Sequence, residues 1–143
     1  MNKKRNLIYV FADQWRNQSI GIHDSSVLTP NMDAFARDSI DMKDAVTTHP
    51  LCSPSRACLF TGTYPVEHGV YGNCMEGYPI ELREDDNFLD LLHKDGYRTG
   101  YVGKWHLDQP ELNFTSTPKS GAKGWDAYTP PGRKRHGIDY WHA

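Results

Sequence analysis

"DNFLDLLHKDGYRTGYVGKWHL", residues 86–107, predicts the fold class of this chain. Three apolar residues of its first half share one face of a predicted helix: Phe88, Leu91 and Leu92. Asp86 is the expected N-cap, and Gly96 ends the helix. The apolar run from 97 to 107 is typical of a strand. A helix that leads directly into a strand indicates an α/β arrangement.

Two earlier segments continue this alternation. "LIYVF", residues 7–11, is a β-branched and aromatic run that predicts a strand buried on both faces of a parallel sheet. "TPNMDAFARDSI", residues 29–40, predicts a helix with Thr29 as N-cap and Pro30 at its first position. Its inward face is predicted from the apolar spacing: Met32, Phe35, Ala36 and Ile40. The resulting order of strand, helix, strand, helix, strand favours an α/β fold with a mostly parallel central sheet.

The stretch from 107 to 143 is rich in Pro, Gly, Lys and Trp and has no sustained periodicity. It predicts an irregular surface excursion. The last letters, "IDYWHA", follow an aromatic cluster with no capping element. We therefore expect residues 1–143 to be one portion of a larger domain, whose sheet is incomplete and which has no useful turnover by itself.

Composition excludes several classes of protein. The 143 residues include 16 Lys and Arg against 18 Asp and Glu, a balance without the basic excess that nucleic-acid binding requires. No segment approaches the roughly 20 apolar residues of a membrane span. The first apolar run is too short for a secretory signal, so we expect a cytoplasmic protein. The three cysteines do not suggest a disulfide framework.

The most informative cysteine lies in "PLCSPSRACLFTG", residues 50–62. If Ser53 caps a helix and Pro54 takes its first position, Cys52 lies just outside a helix N-terminus, where free N–H groups favour an anion. Arg56, one turn later, adds a planar guanidinium that suits sulfate or phosphate.

Other interpretations of Cys52 have different support. A small buried thiol fits the spacing equally well, since free cysteine is among the most buried residue types. A thiolate phosphatase needs an arginine six residues after the cysteine, and Cys58 occupies that position. A metal cluster of Cys52, Cys58 and Cys74 lacks the paired short spacing of ligands.

A second group of polar residues occurs in "GYVGKWH". If the strand continues to residue 107, Lys104 and His106 point to the same face because strand side chains alternate. Trp105 then faces the core. A lysine and a histidine at one strand end make a pair that binds anions and transfers protons.

These two motifs together resemble the sulfatase family. "PLCSPSRACLFTG" is similar to its first signature and "GYRTGYVGKWH" to its second, in the same order and at a similar separation. "VFADQW" resembles the first metal-binding turn of the family, and "RHGIDYW" resembles a segment of bacterial arylsulfatase-like members. The resemblance implies the amino-terminal part of an α/β sandwich of the alkaline phosphatase type.

The resemblance also implies a mechanism. A maturation enzyme would oxidise Cys52 to formylglycine, whose hydrate has two hydroxyls: one attacks the sulfur of a sulfate ester and the other, once deprotonated, expels sulfate. Arg56 would steady the hydrate, Lys104 would contact sulfate and hydrate, and His106 would take the proton. A phosphonate monoester or phosphodiester hydrolase, and a non-catalytic remnant, remain alternatives.

The family also implies a divalent cation, calcium with magnesium as the alternative, bound by Asp13, Gln14 and the modified Cys52. Gln14 replaces the second aspartate of many members and reduces the negative charge of the site. His68 and Asn73 are weaker candidates for lining the substrate pocket, and a structural turn is the competing interpretation. The remaining polar candidates are expected to have no catalytic role: His49, Cys58 and Cys74.

Overall fold

The computed structural model describes four stretches of the chain: residues 4–73, 81–83, 87–108 and 129–143. Contacts divide the chain into two compact units, Met1–Val46 and Thr47–Ala143. The predicted N-cap Asp86 and the cysteine Cys74 lie outside the described residues.

In the first unit, the predicted strand at residues 7–11 is wrong. The segment has no sheet partner within the described residues, and its side chains are exposed, with Ile8 at 85% and Val10 at 86%. A strand buried on both faces needs neighbours that pair with its backbone and cover its side chains. The described part of this unit, residues 4–46, contains no other strand to do so.

Helix α1 spans Pro30–Arg37 and follows a single 3-10 turn at Asn17–Ser19. Pro30 occupies the first helical position, as predicted. Thr29 is at the N-cap position, but its hydroxyl donates to the Asp33 side chain instead of accepting from the helix. The predicted inward face is wrong: Met32, Phe35 and Ile40 are exposed. An amphipathic face is buried only where another element covers it, and the helical pattern does not supply that element.

The described part of the second unit contains three α-helices, α2 (Cys52–Thr61), α3 (Pro65–His68) and α4 (Phe88–Lys94), and a 3-10 turn at Arg133–Arg135. Helix α2 ends at Gly62, whose φ of 67° lies in the left-handed region that glycine adopts without a Cβ penalty. Helix α4 is capped by the Asn87 side chain, which accepts hydrogen bonds from the N–H groups of Leu89 and Asp90. The N-cap is thus Asn87, one residue later than the predicted Asp86. An asparagine side-chain oxygen accepts from the free N–H groups of a helix as an aspartate oxygen does.

Helix α4 ends at Lys94 with Asp95 as C-cap, and the predicted stop residue Gly96 follows with a φ of 79° and donates its N–H to the His93 carbonyl. Its buried face agrees with the prediction in part, since Phe88 packs against the core and Leu92 is half-buried. Leu89 and Asp90 are buried, whereas Leu91 is 61% exposed.

The sheet of the described residues has two parallel strands, β1 (Gly100–Val102) and β2 (Tyr140–His142). Strand β1 is much shorter than the predicted strand from 97 to 107. Strand β2 lies in the range 107–143, where an irregular excursion was expected. The few residues of "IDYWHA" that favour strands are too short a run to show a periodic pattern. Their extended conformation comes from pairing with β1.

The core of the second unit is an aromatic cluster between α2, α4 and the sheet. Trp105 lies at its centre, with ring centroids 5.0 Å from Phe60, 5.2 Å from Tyr101 and 5.3 Å from Trp141. Such aromatic pairs stabilise a fold beyond their buried area. The cluster fixes the chain immediately after β1 against helix α2.

No helix in the described stretches is long and apolar enough to cross a membrane.

Candidate functional site

The loop that follows β1 carries two of the predicted site residues. Gly103 has a φ of 108° and His106 a φ of 56°, so the chain turns sharply instead of continuing as a strand. The alternation argument for Lys104 and His106 is therefore wrong, because their backbone is not extended. The predicted orientation of Trp105 is confirmed, since it is 5% exposed, whereas Lys104 is exposed and His106 half-buried.

Ser53 connects this loop to the first turn of α2. Its hydroxyl donates a hydrogen bond of 2.6 Å to the carbonyl oxygen of His106. Its backbone N–H donates to Oδ1 of Asn73 at 2.8 Å. The Ser53 side chain was predicted to cap the helix, but the helix begins at Cys52 with Leu51 as N-cap, and Asn73 supplies the capping oxygen from another loop.

Arg56 makes a parallel connection one turn further along the helix. Its guanidinium is 5% exposed and donates from Nη1 to the hydroxyl of Tyr101 at 3.2 Å and to the carbonyl of Lys104. The Tyr101 hydroxyl also donates to the Lys104 carbonyl. Arg56 therefore holds the backbone of the second signature, in addition to any contact with a bound anion.

We call these connections the α2 clasp: Ser53 bonded to the His106 carbonyl, and Arg56 with Tyr101 bonded to the Lys104 carbonyl. Ser53 and Arg56 are three residues apart, so they project from the same face of the helix. The clasp brings together the two sequence motifs that contain Cys52 and the pair of Lys104 and His106.

Cys52 is the first residue of α2 and has a half-buried thiol. Fewer free N–H groups are available to bind an anion at the start of this helix than the sequence predicted. The N–H of Ser53 is used by Asn73, Pro54 has none, and Ser55 donates to the Leu51 carbonyl. The positive charge of Arg56 and Lys104 is thus the main feature near Cys52 that favours an anion.

His68 forms a contact with the second cysteine of the motif. It is buried, and its Nε2 lies 3.3 Å from Sγ of Cys58. Its Nδ1 accepts from the N–H of Val70, so Nε2 carries the proton and donates to the sulfur. In that tautomer His68 cannot take a proton from Cys58 through Nε2. Burial lowers the pKa of His68, in keeping with a neutral ring.

Asp13 and Gln14 form a bend in the first unit. Their carboxylate and amide oxygens are the ligand types that calcium and magnesium prefer, so the donor chemistry fits a hard cation. Within the described residues, however, no group of three or more His, Cys, Asp or Glu side chains could hold a metal ion. These two residues would contribute part of a coordination shell.

A charged cavity of about 280 Å³ lies beside the core of the second unit. Lys134 lines it and donates to Glu81 at 3.0 Å and to Asp108 at 2.8 Å. Burial raises the pKa of Asp108, while the bond from Lys134 opposes that rise. Lys134 thus offsets part of the effect of burial on this carboxyl group. No sequence pattern indicated that Lys134, Glu81 and Asp108 would meet.

Sequence patterns also missed Ser53 and Tyr101 as members of the site. Each is an ordinary residue of a helix or strand, and each makes its decisive contact with an atom of the loop that contains Lys104. A polar residue directly after the candidate nucleophile was the only available signal for Ser53. Tyr101 had none, because an aromatic residue in a strand is usual.

Comparison with known proteins relates the chain to one family. The sequence profile of the Sulfatase family matches residues 5–134. An endo-4-O-sulfatase from Bacteroides thetaiotaomicron is 40% identical over 96% of this chain and 30% of its own length. An ulvan-active sulfatase from Formosa agariphila is 37% identical over 98% of this chain and 24% of its own length. Arylsulfatase A from Homo sapiens is 34% identical over 96% of this chain and 26% of its own length.

A solved structure supports the same assignment. A sulfatase structure from a study of how Bacteroides thetaiotaomicron metabolises multiple glycosaminoglycans has a TM-score of 0.76 and 39% identity. The matched region covers 90% of this chain and 30% of the chain in the solved structure. The fold is therefore part of the α/β architecture of alkaline phosphatase type. The chain spans about a quarter to a third of the length of these relatives, and it belongs to the sulfatase family.

Proposed function

We propose that this chain carries the nucleophile-bearing part of an enzyme that hydrolyses sulfate esters, with carbohydrate sulfates as the substrate class. The observation that carries the proposal is the α2 clasp, because it joins the helix of Cys52 to the loop of Lys104 and His106. Family membership supports the reaction type. The names of two relatives, endo-4-O-sulfatase and ulvan-active sulfatase, support a carbohydrate substrate.

Cys52 is the proposed nucleophile after oxidation to formylglycine by a maturation enzyme. The hydrated aldehyde supplies a hydroxyl that attacks sulfur and a second hydroxyl whose deprotonation expels sulfate, which a serine in the same place lacks. The half-buried position of Cys52 at the start of α2 leaves its side chain within reach of a maturation enzyme.

The basic residues divide the remaining work. The exposed Lys104 supplies an ammonium group that binds a sulfate oxygen and stabilises the developing negative charge. His106 receives the proton from the second hydroxyl. Arg56 contributes a fixed positive charge while its Nη1 holds the loop. The loop is thus positioned before substrate binds, which reduces the entropy lost in reaching the transition state.

A divalent cation is part of the proposal through Asp13 and Gln14. Bound there, it would neutralise charge on sulfate oxygens. We assign no step of the reaction to it, since two oxygen donors do not complete a coordination shell.

The first test is modification of Cys52. The chain is co-expressed with a formylglycine-generating enzyme and digested with trypsin, which gives peptide 44–56 with Cys52 as its only cysteine and peptide 57–83 with Cys58 and Cys74. We expect the aldehyde mass and reactivity with a hydrazide in the first peptide alone. An intact thiol in both peptides would overturn the proposed nucleophile.

The second test is substrate choice. Because residues 1–143 are expected to have no useful turnover by themselves, the assay uses these residues within a chain that spans a whole sulfatase domain, with Cys52 modified or replaced in Cys52→Ala. Sulfated oligosaccharides, 4-nitrophenyl sulfate and a phenylphosphonate ester are offered as substrates, both with calcium and after chelation. We expect release of sulfate that requires Cys52. Faster turnover of the phosphonate than of any sulfate ester would overturn the assignment of substrate class.

A further inference from the structure

Ser53 has an unusual position for a residue without an assigned role. It is 0% exposed, and both its hydroxyl and its N–H are engaged, with the His106 carbonyl and with Asn73. The first bond joins residues 53 positions apart in the chain. A fully buried hydroxyl retains its place only when it has such a partner, since burial without one is costly.

The acceptor of this bond is in a strained conformation. His106 has a φ of 56°, in the left-handed region that residues with a Cβ rarely occupy. Strained backbone persists where surrounding contacts hold it in place. The Ser53 hydroxyl bonds the carbonyl of the strained residue itself, and the core packing of Trp105 fixes the residue before it. These two contacts hold the backbone on either side of the Cα from which the His106 side chain projects.

We infer that Ser53 is a positioning residue that sets the orientation of the His106 imidazole through this hydrogen bond. The consequence for catalysis rests on the proposed function. With the hydroxyl removed, the His106 carbonyl loses its buried donor and the loop relaxes toward a less strained conformation. The imidazole then moves away from the proton that it is proposed to take. Asn73 acts indirectly, by fixing the Ser53 backbone from the other side.

The structural part of the inference is tested without any assay of activity. NMR spectra of the chain are recorded for the wild type, Ser53→Ala, Ser53→Thr and a matched control, Ser55→Ala, which removes a hydroxyl from the same helix. Ser55 is half-buried and lies 3.5 Å from the Thr47 hydroxyl. We expect Ser53→Ala to shift the imidazole signals of His106, Ser53→Thr to restore them, and Ser55→Ala to leave them unchanged.

The outcome that overturns the inference is equally specific: imidazole signals of His106 that are the same in Ser53→Ala as in the wild type, or the same in Ser53→Thr as in Ser53→Ala. If Ser53→Ala does not fold, the wild-type chain provides the test. Its buried Ser53 hydroxyl proton should exchange slowly with water and show a nuclear Overhauser effect to the Hα of Leu107, which lies on the same side of the trans peptide bond as the His106 carbonyl oxygen. Absence of that cross peak in a well-resolved spectrum contradicts the bond.

The catalytic part is tested on protein that releases sulfate, with rates normalised to the formylglycine content of each variant. We expect Ser53→Ala to lower kcat about 10- to 100-fold while KM changes little, because the defect lies in orientation and not in binding. Ser53→Thr should recover most of kcat. A change in KM alone would overturn this part. The NMR result stands whether or not the chain hydrolyses sulfate esters, so failure of the proposed function is distinguishable from failure of this inference.

Discussion

The side chain of Asn73 accepts a hydrogen bond of 2.8 Å from the backbone N–H of Ser53 in the first turn of helix α2. The helix thus receives its cap from a loop 20 residues further along the chain. The N-cap residue itself, Leu51, has no side chain that could serve. This contact makes the loop after α3 part of the support of the candidate nucleophile.

Asn73→Ala is expected to destabilise the second unit by about 1 kcal/mol, the usual effect of losing a capping oxygen. Asn73→Asp keeps the oxygen and adds a negative charge near the positive end of the helix dipole, so it should be neutral or stabilising above about pH 5. Urea denaturation of the three proteins checks both. Equal losses in Ala and Asp variants would show that the oxygen is not the stabilising feature.

Gly103→Ala tests the turn between β1 and Lys104. Gly103 has a φ of 108°, and a Cβ at this position would have no atom within 4 Å, so the expected loss of about 1 to 3 kcal/mol comes from backbone strain alone. Gly100→Ala is the matched control, since its Cβ would make ordinary contact with Tyr140 at 3.6 Å and its φ is not positive. Thermal denaturation should show a much larger effect at 103 than at 100.

The burial of His68 is expected to make the free energy of unfolding depend on pH. Burial lowers its pKa below 6.5, so between the folded and unfolded pKa values the unfolded chain binds more protons. The contribution of His68 to the free energy of unfolding is fully present above about pH 7 and decreases as the pH falls below 6.5. NMR titration should show the lowered pKa. In His68→Gln, urea midpoints should depend less on pH over this interval; an unchanged dependence would contradict the assignment.

Lys134 is expected to stabilise the second unit through Asp108, whose side chain is buried. Lys134→Met leaves that carboxylate without its cation and should cost about 1 to 2 kcal/mol at neutral pH. It should also raise the pKa of Asp108 further, so the loss should shrink on acidification as the carboxyl becomes neutral. Glu81→Gln is the control, because its more exposed carboxylate should contribute little. Chemical denaturation at neutral and acidic pH measures each.

Local patterns predicted the features that depend on a few neighbouring residues. Pro30 begins α1, Gly96 follows the end of α4 and Trp105 is buried, each for a reason contained in the residue itself or in its immediate surroundings. The prediction of a strand at residues 7–11 was wrong, because an apolar run shows only that a segment is suited to a sheet. The sheet itself must come from partners elsewhere in the chain.

By itself, the sequence determined the family and the residue types of the candidate site, since "CSPSR" and "GKWH" contain their chemical groups in fixed local order. Only the tertiary structure decided how those motifs are joined. Ser53, Arg56 and Tyr101 hold the loop of Lys104 and His106 through hydrogen bonds, two of which span 48 and 53 positions. No local pattern specifies such partners, because the backbone carbonyls that accept these bonds are common to every residue and are selected only when the chain folds.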